Sequence, residues 1–298
     1  MINFKSIELA DKTIYENYKQ GAAPRGCEMS FGNLFLWGDQ KIAYINGYAV
    51  FFATFSKSFY PFPVGSGDIK PIIDEIILDS KERNLSLYLT SITEEMKAEL
   101  ERLYPDRFEF ATTENSYDYV YNIDDLADLS GKKYHKKRTH LRRFMTEHPD
   151  YQLEPFSRDN IDKIKSMVEK WYKDRQAEST GEFDYEMEVF RRAIDNFDGL
   201  GLVGLALMDK GEVLAVTFGS KMQDDTFDVH FEKARTDVDG AYVAINNGYA
   251  KYVREKFPEI KYLDREEDMG IEGLRKAKLS YYPHHRIVKY TAREKIKE

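Results

Sequence analysis

Cysteine is almost absent from this chain: of its 298 residues, only Cys27 carries a thiol. A single cysteine excludes an intramolecular disulfide and a zinc site built from several cysteines. The sequence also lacks an uninterrupted apolar run of about 18 residues, the length that a membrane-spanning helix requires. Its N-terminus turns acidic by Glu8 and Asp11 and does not show the basic-then-apolar order of a signal peptide. We therefore expect a cytoplasmic protein without a membrane span.

An excess of positive charge is missing as well, because the formal net charge is -8. This balance argues against a general nucleic-acid coat protein but leaves room for a local basic site. Hydrophobic residues make up 42% and charged residues 32% of the chain, which is typical of a folded core rather than a disordered chain. No Walker loop, serine nucleophile elbow or kinase motif occurs. The length suits two domains of ordinary size or a single large one.

Strands and helices are predicted throughout the first half. Asn46-Gly47 separates two apolar-rich runs and indicates a β-hairpin. The isoleucines from Ile69 to Ile77 recur at helical spacing. The predicted helices cover residues 11–19, 69–77 and 94–103, and the predicted strands cover residues 41–46, 48–55, 59–64, 85–90, 107–111 and 117–121.

The second half repeats this order. Asp209-Lys210-Gly211-Glu212 lies between two apolar runs and indicates another hairpin. Predicted helices cover residues 161–171, 184–197, 241–257 and 273–279, and predicted strands cover residues 202–208, 213–220, 226–233, 261–263 and 286–290. The shared order predicts an α/β fold of two similar modules with a mixed sheet in each, at residues 1–130 and 151–298. Residues 131–150 form a basic connecting segment, and we expect the two modules to superpose.

The connecting segment contains the dense cationic run of this acidic protein, from Lys132 to Arg143. Lysine and arginine at this density attract the phosphates of a nucleic acid or of a lipid headgroup. The alternative is a solvated connecting helix that pairs with the acidic surface. The sequence predicts Lys136, Lys137 and Arg138 as polyanion-binding residues.

A loop between a strand and a helix, residues 235–240, is a second candidate. Backbone N–H groups at such a helix start can hold a pyrophosphate, which makes Arg235 and Gly240 candidate donor-binding residues. The alternative is capping of the helix by Asp237 or Asp239. In the first module, Gly65-Ser66-Gly67 is a similar but shorter candidate.

The most informative stretch is residues 263–283, which combine mixed charges at a strand end, two glycines, a cationic helix and paired tyrosines. Ligands usually bind at strand ends of α/β sheets. The alternative is an exposed acidic loop followed by a salt-bridged helix. His284-His285 has no carboxylate at ligand spacing, so we predict no metal site. His230 is either a base or a core histidine.

Three segments, 118–121, 129–138 and 264–281, resemble the phosphatidylglycerol lysyltransferase C-terminal-domain family. The resemblance implies two tandem GNAT-like modules related to the Fem-type aminoacyltransferases, which use aminoacyl-tRNA as acyl donor. By this match, Asp264 takes the place of the strand-end aspartate, Gly270 and Gly273 of the glycines, and Lys276 or Lys278 of the helix lysine. The membrane flippase part of the lysyltransferases does not occur in this sequence, and residues 235–240 are not a clear acyl-CoA pyrophosphate signature.

The predicted function is transfer of an activated acyl group to an amine or hydroxyl acceptor, with aminoacyl-tRNA or acyl-CoA as donor substrate and no tightly bound cofactor. The acceptor is a small molecule, a peptide or a lipid headgroup. One alternative is a non-catalytic module that binds tRNA or another polyanion, and another is acyl-CoA-dependent N-acetylation of a small molecule.

Roles follow from the needs of such a transfer, which must orient an amine, remove its proton and stabilise an oxyanion. Asp264 or Glu266 is predicted to bind or deprotonate the amine. Tyr281 or Tyr282 is predicted to give a proton to the leaving group. The predicted ligands of the donor phosphates or the oxyanion are Arg265, Arg275, Lys276 and Lys278.

Overall fold

The computed structural model describes residues 1–37, 40–54, 57–175 and 182–295. Within these ranges the helices are α1 Asp11–Lys19, α2 Phe31–Leu36, α3 Lys70–Glu82, α4 Glu94–Leu103, α5 Ile123–Asp128, α6 His135–Glu147, α7 Ile161–Arg175, α8 Glu182–Asp195, α9 Phe197–Leu200, α10 Ala241–Lys256 and α11 Glu272–Leu279. The strands are β1 Lys5–Ser6, β2 Lys41–Ile45, β3 Tyr48–Thr54, β4 Ser58–Pro61, β5 Val64–Gly65, β6 Tyr88–Ile92, β7 Phe108–Thr112, β8 Asp118–Asn122, β9 Gln152–Pro155, β10 Val203–Asp209, β11 Glu212–Lys221, β12 Thr226–Ala234, β13 Tyr262–Asp264, β14 His285–Ile287 and β15 Tyr290–Glu294.

Both predicted hairpins form at the expected residues. Asn46 and Gly47 have φ angles of 45° and 86° and join β2 to β3. Lys210 and Gly211, with φ angles of 49° and 81°, join β10 to β11. Two consecutive residues with positive φ match the right-handed twist of the flanking strands.

The first sheet has the strand order β1-β2-β3-β4-β6-β15-β7, and β5 also pairs with β3. Strands β4 and β6 run parallel, with Tyr60 opposite Leu89. The apolar face of α3, which includes Ile72, Ile73 and Ile76, is buried in the core of this sheet. The isoleucine spacing in the sequence therefore predicted the buried face correctly.

The second sheet has the strand order β14-β8-β13-β12-β11-β10-β9. Strands β12 and β13 run parallel, with Thr226 opposite Tyr262 and Asp228 opposite Asp264. Because β13 ends at Asp264, residues 229–234 of β12 extend beyond it. The end of β13 is the position that the sequence predicted for the strand-end aspartate.

Strand β12 contains an irregularity where it passes β11. The register moves from Phe218 opposite Phe231 to Ser220 opposite Asp228, so three residue steps of β12 face two of β11. Gly219 lies at this bulge, and a Cβ atom on it would meet the Asp228 carbonyl oxygen at 2.0 Å. The close approach of the two backbones therefore requires glycine.

Two strands lie in a different sheet from the one that their sequence position suggests. Strand β15, near the C-terminus, inserts between β6 and β7 of the first sheet, and β8, which follows β7 in the chain, pairs with β13 in the second. The sequence predicted one strand at 286–290, whereas the chain forms β14 and β15. A local pattern indicates a strand but does not choose its partner, because partners are set by long-range packing.

Contacts divide the chain into two compact units. Unit 1 comprises Met1–Asp118, Glu267–Arg275 and Arg286–Glu298, and unit 2 comprises Tyr119–Glu266 and Lys276–His285. This division differs from the predicted modules, since the segment at 131–150 falls within unit 2 and the C-terminal residues fall within unit 1. No helix in the described ranges has both the length and the apolar character needed to cross a membrane.

Candidate functional site

The end of β13 holds a buried carboxylate. Asp264 is 0% exposed, and its Oδ1 accepts a hydrogen bond of 2.8 Å from the backbone N–H of Glu266. Its register partner on β12, Asp228, is also fully buried. The chain turns sharply here, with Glu266 at a φ of 57°. Two buried carboxyl groups in register on neighbouring strands are a feature of functional sites more often than of a packed core.

Lys278 stabilises this turn from helix α11. The side chain is buried, and its ammonium group donates hydrogen bonds to the backbone carbonyls of Arg265 and Glu266, the latter at 3.0 Å. The hydroxyl of Tyr121 in turn donates to the Lys278 carbonyl at 2.8 Å. These bonds hold the backbone after Asp264 in place, while the predicted role of Lys278 in donor binding stays a prediction.

Arg265 presents a guanidinium group in aromatic surroundings. Its Nη2 donates to Glu232 Oε1 at 2.8 Å, and the group lies 5.3 Å from the ring centre of Tyr281. Nη1 is buried and has no hydrogen-bond partner among the described residues. A buried donor without a partner costs about 1–3 kcal/mol. The atom is therefore suited to an oxygen that arrives with a ligand.

Lys137 of helix α6 also contacts the ring of Tyr281. Its Nζ is 3.6 Å from the ring centre of Tyr281 and 2.7 Å from Ser280 Oγ. Burial, together with the positive charge of Arg265, lowers the pKa of Lys137 to about 8, against the opposing effect of Glu232. An amine with this pKa is partly neutral near physiological pH and can accept a proton.

The paired tyrosines have different surroundings. Tyr281 is buried, and burial raises the pKa of its phenol, so the hydroxyl keeps its proton at neutral pH. Tyr282 is 47% exposed, adopts a φ of 55° and contacts the ring of Tyr134 edge-on. Of the two predicted proton donors, Tyr281 therefore belongs to the cluster with Lys137 and Arg265.

Sequence analysis named His230 but missed the polar residues that surround it, which lie on β11, on β12 and just after β13. His230 Nε2 is 2.8 Å from Ser220 Oγ, and its Nδ1 is 3.3 Å from both Asp228 Oδ2 and Glu266 Oε1. Asp228, His230 and Glu266 can bring three ligand atoms within 4.8 Å of one another, a spacing that suits a metal ion. The available signal was the polar alternation of Asp228, His230 and Glu232 along an otherwise apolar strand.

The loop before α10 is occupied by internal ion pairs. Arg235 binds Asp237 at 2.7 Å and Glu212 at 2.6 Å, and Asp239 binds Arg143 at 2.7 Å. Gly240 has a φ of 81°, and a Cβ atom there would meet the carbonyl oxygen of His140 at 2.9 Å. The residue at the cap position is Gly240, and no hydrogen bond from a backbone N–H of α10 to Asp237 or Asp239 is found among the described residues.

The predicted residues Gly270 and Arg275 lie in unit 1. Arg275 donates to both oxygens of the buried Asp268, through Nε at 2.8 Å and Nη2 at 2.9 Å, and also to Asn115. Gly270 has a φ of 80°, and a Cβ atom on it would meet Asn115 Nδ2 at 2.7 Å. A Cβ atom on Gly273 would meet nothing within 4 Å. Lys276 is exposed and belongs to unit 2.

The cations of the basic segment fall into two groups. Arg138 donates to the carbonyls of Leu129 and Gly131, and Lys133 binds Asp125 at 3.0 Å. Within the basic segment at residues 131–150, all of which the structure describes, three exposed cations have neither an ion-pair nor a hydrogen-bond partner: Lys132, Lys136 and Arg142. Of the predicted polyanion ligands, Lys136 is therefore available to a partner in solution, whereas Arg138 binds the backbone.

Two mixed sheets, each with a parallel strand pair, define a tandem GNAT-like α/β protein. A tandem GNAT protein from the clavulanic acid biosynthesis pathway matches at 10% identity and a TM-score of 0.53, over 100% of both chains. FemX matches at 9% identity and a TM-score of 0.59, over 97% of both chains. These likenesses confirm the predicted fold class.

The family model described as "Phosphatidylglycerol lysyltransferase, C-terminal" matches residues 19–293, so the chain belongs to this family. A conserved protein of unknown function from Bacteroides thetaiotaomicron is 37% identical, with a TM-score of 0.93, over 99% of this chain and 100% of that one. L-PGS from Bacillus licheniformis is 16% identical, with a TM-score of 0.67, over 97% and 93%. An uncharacterised Mycoplasmoides gallisepticum protein is 23% identical over 59% of this chain, which spans about half (56%) of that relative.

Proposed function

We propose that this protein is an aminoacyltransferase that moves an aminoacyl group from an activated ester, such as that of aminoacyl-tRNA, to an amine or hydroxyl acceptor. The observation that carries the proposal is the cluster of Lys137, Arg265 and Tyr281 beside the strand-end Asp264. It combines a lysine whose pKa lies near 8, a guanidinium N–H group without an acceptor among the described residues, and a buried phenol. Family membership supports a transferase.

Each member of the cluster has a part in the proposed reaction. The acceptor nitrogen forms a bond to the ester carbonyl carbon, and its proton passes to neutral Lys137. Arg265 Nη1 donates to the oxyanion that develops on the carbonyl oxygen. The bond to the ribose oxygen then breaks, and this oxygen takes a proton from Tyr281 or from protonated Lys137. Asp264 and Glu266 orient the ammonium or amine of the substrate.

An ester donor is favoured over acyl-CoA by the loop before α10. The two carboxylates in that loop, Asp237 and Asp239, are bound to Arg235 and Arg143. A pyrophosphate at the start of α10 would lie beside both carboxylates, and the two arginines that could bind it already pair with those carboxylates. Acyl-CoA-dependent N-acetylation therefore has less support from the site.

Two adjacent lysines on α6 allow a matched test. Lys137 is half-buried against Tyr281, whereas Lys136 is exposed. In a transfer assay with a mixture of labelled aminoacyl-tRNAs and candidate amine acceptors, we expect Lys137→Gln to lower the single-turnover rate by about 10²–10⁴-fold, the usual contribution of a general base. Lys136→Gln removes the same charge and should leave that rate unchanged at saturating tRNA. Equal rates for both variants would exclude Lys137 as the base.

A non-catalytic role in binding tRNA or another polyanion is the second candidate, and Lys132, Lys136 and Arg142 support it because they leave three exposed cations on one segment. Tight tRNA binding without any transfer to a panel of amines and hydroxyl compounds would favour this function.

A further inference from the structure

Unit 1 contains a cavity of about 290 Å³ that the proposed transferase site does not use. Its walls include Phe59, Pro61 and Tyr290, and its polar lining includes Glu28, Gln40 and Lys289. Lys289 and Glu28 come from opposite ends of the chain, and no sequence motif marked either one. The volume suits a small organic molecule.

Lys289 lines this cavity, and its ammonium group is surrounded by acidic side chains. The side chain is 5% exposed, and its Nζ is 2.8 Å from both Glu28 Oε1 and Asp118 Oδ1. Glu267 Oε2 is 3.6 Å away. Three carboxyl groups around one ammonium give the site more acceptor oxygens than Lys289 can satisfy, while burial raises the pKa of Asp118.

Glu28 keeps its negative charge at this position. Burial by itself would raise the pKa of Glu28, but the charge and the hydrogen bond of Lys289 outweigh that effect, so the pKa lies below its ordinary value. The hydroxyl of Ser91 also donates to Glu28 Oε1, at 3.2 Å. Both bonds therefore go to the same carboxylate oxygen, Oε1.

The other oxygen of Glu28 has no hydrogen-bond donor among the residues that the structure describes. Glu28 Oε2 is buried without a hydrogen-bond partner in the described ranges, and so is Gln40 Oε1. An unsatisfied buried acceptor is costly, and a carboxylate oxygen is costlier than a neutral one. Two such acceptors on one cavity point to a ligand that brings its own N–H groups.

A metal ion fits this place less well than an organic cation. Cys27, Glu28 and Asp118 have ligand atoms within 4.8 Å of one another. The ammonium of Lys289, however, already lies 2.8 Å from both carboxylates and 3.6 Å from Cys27 Sγ, so a metal ion would have to displace it. The apolar walls formed by Phe59, Pro61 and Tyr290 would gain nothing from a metal but can cover a carbon chain.

We propose that this cavity binds a small molecule through its primary ammonium group, which donates to Glu28 Oε2 and Gln40 Oε1 while its carbon chain packs against Phe59 and Tyr290. The site does not depend on the transferase proposal, because it involves none of the residues to which that reaction is assigned. Its ligand is recognised by charge and by N–H donors together.

Three probes of similar carbon chain separate these contributions: n-butylamine, butyltrimethylammonium and butan-1-ol. Butyltrimethylammonium carries the charge without N–H donors, and butan-1-ol carries one donor without the charge. Titration of the full chain, followed by NMR shifts of the Glu28 and Ser91 amides, should show saturable binding of butylamine at least about tenfold tighter than that of the other two.

Substitutions of the cavity residues test whether butylamine binds at this site. Glu28→Gln should weaken butylamine binding at least about tenfold, since a hydrogen bond to a charged group is lost. Gln40→Leu removes the second acceptor without touching Lys289, so it decides the matter if Glu28→Gln fails to fold. Glu109→Gln, an exposed acid on the neighbouring cavity, removes the same charge as Glu28→Gln and should leave affinity unchanged.

Several outcomes would overturn the proposal. Absence of saturable butylamine binding would do so, as would equal affinity for butyltrimethylammonium. Unchanged affinity in both Glu28→Gln and Gln40→Leu would show that the amine binds elsewhere. Transferase activity is not measured in this experiment, so its result and that of the transfer assay are independent.

Discussion

At the residue scale, the neighbourhood of Lys137 sets its chemistry. An exposed lysine is almost fully protonated at neutral pH. Lys137 differs because its side chain is half-buried over Tyr281, close to the cation of Arg265. Its neighbour Lys136 has the same side chain but is exposed to solvent. The basic run in the sequence therefore contained a candidate base that charge density alone did not distinguish.

The pKa of Lys137 predicts the pH dependence of transfer. If the neutral amine accepts the proton, kcat/KM should rise with pH and level off above about 8. A pH profile of the wild-type chain and of Lys137→Gln measures this, and the variant should lose the rising limb. A rising limb near pH 8 that persists in Lys137→Gln would contradict the assignment.

The same pKa has a consequence for stability. Because the folded-state pKa of Lys137 lies below 10.5, the unfolded chain binds more protons between about pH 8 and 10.5. Lys137 by itself therefore makes the free energy of unfolding rise with pH across that window. Below pH 8 the lysine is protonated in both states, and its unfavourable contribution is constant.

Asp264 gives a second prediction at this scale. In Asp264→Asn the amide oxygen can still accept from the Glu266 N–H, so the melting temperature should stay within a few degrees, whereas transfer should be lost with the charge. Asp239→Asn, at an exposed loop carboxylate, is the control and should retain transfer. If Asp264→Asn retains transfer activity but loses about 1 kcal/mol of stability, the role of Asp264 is structural only.

At the scale of elements, the cations of helix α6 and of the residues just before it have two different roles. Some bind other groups of this chain, and others remain exposed to solvent. Arg138 donates to the carbonyls of Leu129 and Gly131, just after helix α5, while Arg143 binds Glu147 and Asp239. These cations stabilise unit 2, so a triple substitution of Lys136, Lys137 and Arg138 would remove backbone contacts and alter the cluster as well as the charge. Lys132, Lys136 and Arg142 are the better set for a binding test.

We expect replacement of Lys132, Lys136 and Arg142 by Gln to weaken tRNA binding and to reduce its log–log salt slope by about 2–3, because about 0.7–0.9 is lost for each phosphate contact. Filter binding over a range of salt concentrations measures both quantities. Replacement of Lys163, Lys170 and Lys173 on α7 changes the net charge equally and should have little effect. If the salt slope of tRNA binding is the same in the two triple variants, α6 acts only as a connecting helix.

At the scale of the whole molecule, each sheet depends on a strand that the sequence order would assign to the other. Strand β15 pairs with both β6 and β7, and β8 pairs with β13. A cut between residues 130 and 131 therefore removes β15 from the first sheet and β8 from the second. The predicted module boundaries do not coincide with units that hold all of their own strands.

This arrangement predicts the behaviour of fragments. A fragment of residues 1–130 should fail to reach its native structure, because β6 and β7 lose the strand between them. Hydrogen exchange of the backbone amides in β6 and β7 measures this, with the full chain as the reference. Adding a peptide of residues 284–295 should restore part of the protection. Native-like protection in the fragment alone would contradict the prediction.

The sequence by itself determined the local elements and the family. Asn46-Gly47, the isoleucines of α3 and the motif from Asp264 onwards depend on residues close together in the chain, so turn geometry, helical spacing and family resemblance predicted them correctly. The strand-end position of Asp264 was also predictable from the order of elements.

Only the tertiary structure decided which distant residues meet. The pairing of Arg265 with Glu232, the burial of Lys137 on Tyr281, the His230 group and the cluster around Lys289 all join residues far apart in sequence. Strand partners and pKa shifts arise from packing, burial and charge in three dimensions, and no local pattern encodes them. For that reason the sequence predicted which charged residues were candidates for ligand binding. Only the tertiary structure showed which of them bind the protein's own backbone and which remain available to a ligand.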